Sequence, residues 1–559
     1  MSFDLVIRGG TLVDGTGLPA FRADIAVNAG RIAAVGRLRA AGREEIDATG
    51  KVVCPGFIDG HTHMDAQVMW DALGTNSCWQ GVTTVVMGNC GFSLAPARPH
   101  ERAFVVRNLE RAEDISAQAM AAGIDWQWET YPEYLDTVDR RPKAINYAGY
   151  VGHSALRTWA MGERAFTEAA TDADLAAMAG ELDRSLRAGA MGFTTSLSSA
   201  HRTSDDRPVA SRLANWDEVA RLVAVMGEAG AGIFEIAQDN VEAWNAMRPH
   251  VVDIALATGV PCMFGVLARP ETFREDLRQI DAVTAAGGQL IGQTVCKPTM
   301  TIVSFASQLP FDTLPHWREL RALPLEQQQA ALRDPALRQR LVQATEHGDY
   351  REGVGPEMRR PDFARTLVFD SVLPPHRTVA EVAVERGVHP VEAMIDLALA
   401  SGMRQLFAQL LSQNDEDCIL QAMSHPRTLM TFSDSGAHVS QIADASIHTY
   451  LLAYWVRRRQ AFSLEHAIRM LTLAPARAFG FHDRGLVREG LAADLIVFDP
   501  DRIGPRLPEV VRDLPGGAMR LTQRADGIDA TVVGGQVVLR AGEHTGAYPG
   551  RLLRGPLAR

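Results

Sequence analysis

The stretch VVCPGFIDGHTH, residues 52–63, decides how the rest of the chain is interpreted. A Pro-Gly turn at 55–56 precedes a short apolar strand at 57–58. His61 and His63 follow two residues apart, and residues at i and i+2 of an extended strand point to one face. Both imidazoles can therefore reach one metal ion, for which neutral imidazole is a common ligand. A lone His-x-His pair usually marks two ordinary histidines, but the preceding turn and strand favour the metal site.

Between about residues 57 and 482, apolar strand-like runs alternate with amphipathic helical stretches. The runs include residues 83–87 and 429–432, and residues 170–188 have apolar side chains at helical spacing. This alternation predicts a parallel α/β architecture. No Gly-x-Gly-x-x-Gly loop follows the first strand, which disfavours a nucleotide-binding sheet. The pattern alone does not separate a barrel from a doubly wound sheet.

The two ends of the chain share a different pattern of short alternating strands punctuated by glycine and asparagine. Residues 1–56 and 483–559 are predicted to form one small β-domain that is interrupted by residues 57–482. Within it, residues 530–539 predict a β-hairpin. An insertion is predicted near residues 304–370, where polar helix formers and proline turns are frequent. A lid over the active site and a surface excursion both fit this segment.

Composition excludes some kinds of partner. The chain has 559 residues, a net charge of −11 and no basic stripe, so we expect no nucleic-acid partner. No run of about 20 apolar residues occurs, so we expect no membrane partner. The six cysteines have no Cys-x-x-Cys spacing, and the N-terminal residues have no apolar signal core. Both features predict a cytoplasmic protein.

The signature PGFID-x-H-x-H resembles the first barrel strand of the amidohydrolase superfamily. Further segments resemble the D-aminoacylase (N-acyl-D-amino-acid deacylase) branch; they lie at residues 5–17, 88–93, 189–197, 431–438, 485–500 and 542–555. The resemblance implies a (β/α)₈ TIM-type barrel with a small β-sandwich formed from both chain ends. It also implies a divalent metal, usually zinc, and hydrolysis of an amide-like C–N bond of a small molecule. A homo-oligomer is compatible with it.

The resemblance assigns roles to four residues of this chain. His61 and His63 match the first-strand histidine pair, and Cys90 matches a cysteine that ligates metal in the D-aminoacylase branch. Asp434 matches the last-strand aspartate, which holds the metal or its water and moves a proton to the leaving nitrogen. The resemblance therefore implies His61, His63 and Asp434 as metal ligands, Cys90 as a candidate fourth ligand, and Asp434 as the general base and then the general acid.

The chain departs from the D-aminoacylase pattern at three places. Histidine ligands are expected within residues 232–239 and 261–266, but neither range contains a histidine, and Ala237 lies at or near the first position. The arginine expected about a dozen residues after Asp434 is also absent. The usual cysteine and two-histidine zinc site therefore cannot form, and the remaining donors favour one ion over two. Loss of the arginine makes a neutral or bulkier amide, imide or lactam an alternative to an N-acyl-D-amino acid.

Five further residues are weaker candidates for substrate contacts. Three of them have another interpretation: a structural role for His153, a helix cap for His438, and a role as substitute ligand or base for Glu235. Arg269 could bind an acidic substrate group. Lys297 could replace a lost ligand if carboxylated, or lie on the surface. The substrate-binding candidates are His153, Glu235, Arg269, Lys297 and His438.

The predicted function is metal-dependent hydrolysis of an amide bond. One alternative is a cyclic imide, lactam or lactone hydrolase on the same scaffold, because one barrel supports many chemistries. Another is a non-catalytic relative that binds a ligand, which the missing histidines suggest. Retention of His61, His63, Cys90 and Asp434 argues against the non-catalytic alternative.

Overall fold

The computed structural model describes residues 2–350, 359–411 and 415–558. The strands are β1 Phe3–Leu12, β2 Phe21–Asn28, β3 Arg31–Gly36, β4 Gly42–Asp47, β5 Val52–Pro55, β6 Phe57–Asp59, β7 His61–Thr62, β8 Val82–Met87, β9 Asn146–Gly149, β10 Val151–Gly152, β11 Gly192–Thr195, β12 Ile233–Ile236, β13 Cys262–Gly265, β14 Leu290–Gln293, β15 Met300–Val303, β16 Thr366–Phe369, β17 Leu406–Leu410, β18 Thr428–Leu429, β19 Phe432–Ser435, β20 Leu495–Phe498, β21 Gly504–Pro505, β22 Glu509–Val511, β23 Arg520–Thr522, β24 Ala525–Asp526, β25 Ile528–Val533, β26 Gln536–Arg540 and β27 Glu543–His544.

The α-helices are α1 Arg102–Ala112, α2 Ala117–Gly123, α3 Tyr131–Arg140, α4 His153–Met161, α5 Asp172–Ala188, α6 Trp216–Ala229, α7 Val241–Thr258, α8 Phe273–Ala285, α9 Trp317–Arg321, α10 Leu325–Ala331, α11 Pro335–His347, α12 Val379–Arg386, α13 Pro390–Ala400, α14 Glu416–Ser424, α15 Ile447–Tyr450, α16 Leu464–Leu471 and α17 Leu473–Ala478. None of the helices described is long and apolar enough to cross a membrane.

The central strands pair in parallel and in chain order. β6 pairs with β8 and β8 with β9, and the succession continues from β10 through β11, β12, β13 and β14 to β18. Short breaks separate β6 from β7, β9 from β10, and β18 from β19. β19 then pairs in parallel with β7, so the order of neighbours returns to the first strand. The ends of these strands therefore converge on one face, where βα loops place functional side chains.

Local sequence explains why these elements form. β8 is rich in β-branched residues and buried along its whole length, as parallel strands covered on both faces are. The helix predicted at 170–188 is confirmed as α5. It begins with a capping box between Thr171 and Asp174 and ends at Gly189, whose φ of 109° suits glycine.

Both ends of the chain join one nine-stranded sheet, which runs β27-β26-β25-β20-β5-β1-β2-β3, with β4 paired to β1. The two ends meet where β20, from the C-terminal part of the chain, lies antiparallel to β5, from the N-terminal part, and Val497 pairs with Val53. The hairpin predicted at 530–539 is confirmed as β25 and β26. This sheet has its own cluster of buried apolar residues, drawn from both ends.

The insertion is longer than the sequence suggested. β15, β17 and β16 form an antiparallel sheet with β17 at its centre. A separate hydrophobic cluster covers it and includes residues from Val303 to Phe407. The segment predicted near 304–370 therefore continues to Leu410. Sequence placed its end too early because α12 and α13 have the same amphipathic pattern as the helices between the central strands.

Candidate metal centre

His61 is oriented by a residue of β14, which is separated from β7 by β18 and β19 in the order of neighbouring strands. Its ring is fully buried, and Nδ1 lies 3.0 Å from Oε1 of Gln293, the last residue of β14. Gln293 Nε2 donates to the carbonyl of Gly60 at 3.2 Å, so Oε1 is left to accept from His61 Nδ1. His61 Nε2 therefore presents its lone pair, and it lies 3.4 Å from Cys90 Sγ and 3.7 Å from Asp434 Oδ1.

His63 lies beside the same carboxylate. Its ring is 1% exposed, and within the described residues neither nitrogen makes a hydrogen bond of acceptable geometry. Nε2 lies 3.1 Å from Asp434 Oδ1 and 3.6 Å from Glu113 Oε2. Burial alone would lower the pKa of His63, but the facing carboxylates, Glu113 first, outweigh it and raise the pKa to about 9. This position therefore attracts a positive charge.

The backbone is strained at three residues around the centre. Cys90, Asp434 and His438 have φ of 55°, 58° and 46°, a region that non-glycine residues seldom adopt. Such conformations cost on the order of 1–3 kcal/mol each and cluster at functional sites. Cys90 and Asp434 approach His61 and His63 from these conformations, and His438 approaches Glu113.

Glu113 belongs to the cluster although the sequence analysis did not select it. It directly follows α1, is 2% exposed, and its Oε1 lacks a hydrogen-bond partner among the described residues. The candidates selected from the sequence lie in strands or follow them, whereas Glu113 follows a helix. One signal was available: an acidic residue at a helix C-terminus opposes the helix dipole, so its presence there needs another explanation.

The β12 and β13 side of the cavity offers no histidine, although Oε1 of the buried Glu235 on β12 lacks a hydrogen-bond partner among the described residues. Ala237 and Gly265 line the cavity where the two histidines were expected. Phe432 stacks on His61 with ring centroids 3.8 Å apart, and a Cβ on Gly265 would lie 3.0 Å from that phenyl ring. Glu235 points towards this region, but its Oε2 accepts a hydrogen bond from the Cys90 backbone N–H at 2.8 Å. Burial raises the pKa of Glu235 to about 8.

The donor atoms fit a divalent metal ion. Two groups have all their donor atoms within 4.8 Å of one another: His61, His63 and Cys90, and His63, Glu113 and Asp434. Atoms sharing one tetrahedral ion at about 2.0–2.3 Å lie roughly 3.3–3.7 Å apart, and the four nearest separations given above run from 3.1 to 3.7 Å. Imidazole, thiolate and carboxylate are also the donors that zinc takes. The buried, unpartnered nitrogens of His63 further support a metal here.

A cavity of about 160 Å³ opens onto this cluster and includes Cys90, Glu113 and Asp434 in its wall. His201, from the loop after β11, also lines it and was not selected from the sequence. Ser196 Oγ accepts from the Ser198 N–H at 3.2 Å and lies 2.7 Å from His201 Nδ1, to which it can donate its proton. Burial, with His438 nearby, lowers the pKa of His201 to about 3. The neutral ring then offers an Nε2–H donor.

Two of the weaker candidates line the cavity. Arg269 does so while its Nη1 donates to the carbonyl of Asp239 at 2.8 Å. His438 is 28% exposed at its side chain, and its Nε2 lies 3.9 Å from Glu113 Oε2. Both therefore stay predictions as substrate contacts, whereas Glu235 supports the backbone of Cys90.

The other two candidates are engaged within the protein. His153 Nδ1 lies 2.8 Å from Thr195 Oγ1 and its Nε2 lies 2.9 Å from Glu218 Oε1, which favours its structural alternative. Lys297 Nζ lies 2.7 Å from Asp444 Oδ1. Lys297 is only 6% exposed, so the surface interpretation is wrong. Its amine is committed to this buried ion pair.

The fold and the site define an amidohydrolase. Residues 44–539 match the model of the Amidohydrolase family, and the chain belongs to this family. Its relatives include the D-aminoacylase of Alcaligenes xylosoxydans xylosoxydans, 29% identical over 99% of this chain and 97% of the relative. The N-acyl-D-aspartate deacylase of the same organism is 30% identical over 98% of this chain and 95% of the relative.

Solved structures agree with these relatives. The N-acyl-D-glutamate deacylase of Bordetella bronchiseptica, complexed with zinc and a phosphonate mimic of the tetrahedral intermediate, has a TM-score of 0.66 at 26% identity. The match covers 99% of this chain and 100% of that one. A D-aminoacylase described with a binuclear metal centre has the same TM-score, identity and coverage.

Proposed function

We propose that this protein is a metal-dependent hydrolase that cleaves the C–N amide bond of an N-acyl amino acid or a related small amide. The observation that supports this most directly is a pair of buried donor groups that share His63, namely His61, His63 and Cys90, and His63, Glu113 and Asp434, beside an open cavity. Relatives that match nearly the whole chain are named as deacylases, which agrees with amide hydrolysis.

The architecture supports this assignment. We propose that the parallel strands of residues 57–482 form a closed (β/α)₈ barrel, with the insertion placed between β14 and β18. Residues 1–56 and 483–559 would form the small β-domain. Pairing of β19 with β7 supports closure, and pairing of β20 with β5 supports a domain made from both ends. The six free buried cysteines support the proposed cytoplasmic location.

The proposed cofactor is one divalent ion, zinc by its donor set, held by His61, His63 and Asp434, with Cys90 as the candidate fourth ligand. When bound, the ion would supply Lewis acidity and lower the pKa of a coordinated water. One ion is favoured over two because β12 and β13 present Ala237 and Gly265 rather than ligands.

Asp434 is the residue we propose for proton transfer. It is 22% exposed at its side chain and lines the cavity, so it can reach both water and substrate. Burial alone would raise the pKa of Asp434, but His63 and then His61 hold it below its usual range. The carboxylate is therefore ionised and can accept the water proton, which it then delivers to the departing nitrogen.

A second candidate function is hydrolysis of a cyclic imide, lactam or lactone. It is favoured by the absence of a cavity arginine at residues 442–448, where relatives of the D-aminoacylase type are expected to hold a carboxylate. Arg269 is the cavity residue that could hold such a carboxylate instead. A non-catalytic role is disfavoured by the retained donors and by the hydrolase relatives.

The first experiment measures metal content and hydrolysis together. Elemental analysis of the wild type should give about one ion per chain, and the double variant His61→Ala/His63→Ala should lose it. His100→Ala is the control, because that side chain is 75% exposed. A panel of N-acyl-D- and L-amino acids, lactams and lactones then separates the candidate functions. Wild-type protein that takes up no zinc would contradict the proposed function.

A further inference from the structure

We propose that Glu113 is a metal ligand, supplied by the end of α1 to compensate for the ligands missing from β12 and β13. This inference rests on the proposed metal centre but extends it to a residue outside the family's expected ligand set. Glu113 Oε2 lies 3.6 Å from His63 Nε2, and its other oxygen lacks a hydrogen-bond partner within the described part of the chain.

The alternative is an ordinary ion pair between Glu113 and His63. A buried ion pair stabilises a fold only when its remaining donors and acceptors are also satisfied. Glu113 Oε1 and His63 Nδ1 lack hydrogen-bond partners in the described residues, and His63 Nε2 makes no hydrogen bond of acceptable geometry although it lies 3.1 Å from Asp434 Oδ1. The separation of 3.6 Å also exceeds a hydrogen bond. It suits two atoms that share an ion, because each would lie about 2 Å from it.

The chain fixes Glu113 in place through its backbone and its neighbour. The carbonyl of Glu113 accepts from the His438 N–H at 2.6 Å. The Asp114 carboxylate accepts from Gln441 Nε2 at 3.0 Å and from Ser440 Oγ. The end of α1 is thus joined to the loop that follows Asp434. These contacts join α1 to the loop after β19, so that the carboxylates of Glu113 and Asp434 both face His63.

The position is also costly for the helix itself. A carboxylate at a helix C-terminus opposes the helix dipole, and complete burial adds a desolvation penalty. Neither cost is offset by a cationic Lys or Arg among the contacts described for Glu113, which are to His63 and His438. A divalent ion supplies the missing positive charge. The ion would lie between His63 and the two carboxylates of Glu113 and Asp434, whose donor atoms are within 4.8 Å of one another.

The test compares Glu113→Gln with Glu110→Gln, a matched change three residues earlier on α1 that lines a different cavity. Zinc affinity is measured by competition with a chromogenic chelator. We expect Glu113→Gln to weaken zinc binding at least 10- to 100-fold, since even outer groups of metal sites contribute this much. Glu110→Gln should bind like the wild type.

Two further measurements separate a ligand from a structural residue. The visible absorption bands of the Co²⁺-loaded protein should change in Glu113→Gln and not in Glu110→Gln. Glu113→Asp, which keeps the carboxylate, should recover part of the zinc affinity and covers the case in which Glu113→Gln fails to fold. Wild-type zinc affinity and an unchanged Co²⁺ spectrum in Glu113→Gln would overturn this inference alone. A wild type that binds no zinc would overturn the proposed function with it.

Discussion

The strands β7, β8 and β19 on one side of the cavity and the strands β12 and β13 on the other differ sharply in the metal-binding side chains that they present. On one side, β7 and β8 are followed by His63 and Cys90, β7 itself contains His61, and β19 contains Asp434. On the other side, β12 and β13 end near Ala237 and Gly265, which have no donor atom in their side chains. Solved structures of a D-aminoacylase and of an N-acyl-D-glutamate deacylase share the chain's overall fold. The difference between the two sides therefore lies in the site residues and not in the scaffold.

This contrast indicates a division of labour within the cavity. The histidine-rich side holds charge, and α1 adds Glu113 to it. In the proposed centre the opposite side shapes the space for substrate, and Gln238, Arg269 and His201 are among the polar groups that line the cavity. Under this proposal, a site that lacks ligands on one side keeps its chemistry because a neighbouring element supplies another.

The largest effect is expected for Asp434→Asn. The amide cannot accept the water proton, and positioned proton-transfer groups contribute about 10²–10⁴-fold to rate. We expect kcat to fall by about 10⁴-fold, the upper end of this range, because a donor is also lost from the cluster. Steady-state hydrolysis of the best amide substrate measures it.

Metal content is the control for Asp434→Asn. Zinc retained alongside the lost activity would locate the defect in proton transfer. Full activity in this variant would show that another residue moves the proton, and the histidine-rich side would lose its proposed role in the chemistry.

A smaller effect is expected for His201→Gln. The Nε2–H of His201 is free to donate to a developing oxyanion, and removal of one such donor costs about 10²–10³-fold in kcat. We expect a loss of about 10²-fold, with unchanged zinc content. Ser196→Ala should produce a weaker loss, because Ser196 only orients the ring.

His100→Gln, on an exposed side chain, is the control for this measurement. If His201→Gln lowers zinc content instead of kcat, then His201 acts on the metal side of the cavity. His201 would then belong with the metal-binding residues and not with the residues that shape the substrate space.

The smallest of these effects is expected for Ala237→His. The new ring restores a histidine on β12's side and occupies cavity space, and changes in pocket shape alter kcat/KM by about 10- to 200-fold. We expect a loss of about tenfold in kcat/KM at unchanged zinc content. Elemental analysis and kinetics on the same preparation measure both. A second ion per chain with undiminished activity would contradict the contrast between the two sides.

The proximity of the four residues selected from the sequence follows from strand periodicity, whereas their role as metal ligands stays a prediction. His61 and His63 are two residues apart on an extended segment, and Cys90 and Asp434 follow apolar runs, so their approach could be anticipated. Glu113 could not be, because its place depends on contacts between α1 and the loop at 438–441. The end of the insertion was missed for a similar reason: β17 is recognised only by its two partner strands.

The pairing of β5 with β20 has a consequence for the time course of synthesis. Val53 leaves the ribosome long before its partner Val497 is made. At roughly 5–20 residues per second, the interval is roughly 20–90 s. During that interval the apolar edge of β5 lacks its native neighbour, so the nascent chain must avoid pairing it elsewhere. Completion of the sheet therefore follows translation of the chain's final tenth or so, which makes late truncations more damaging than their length suggests.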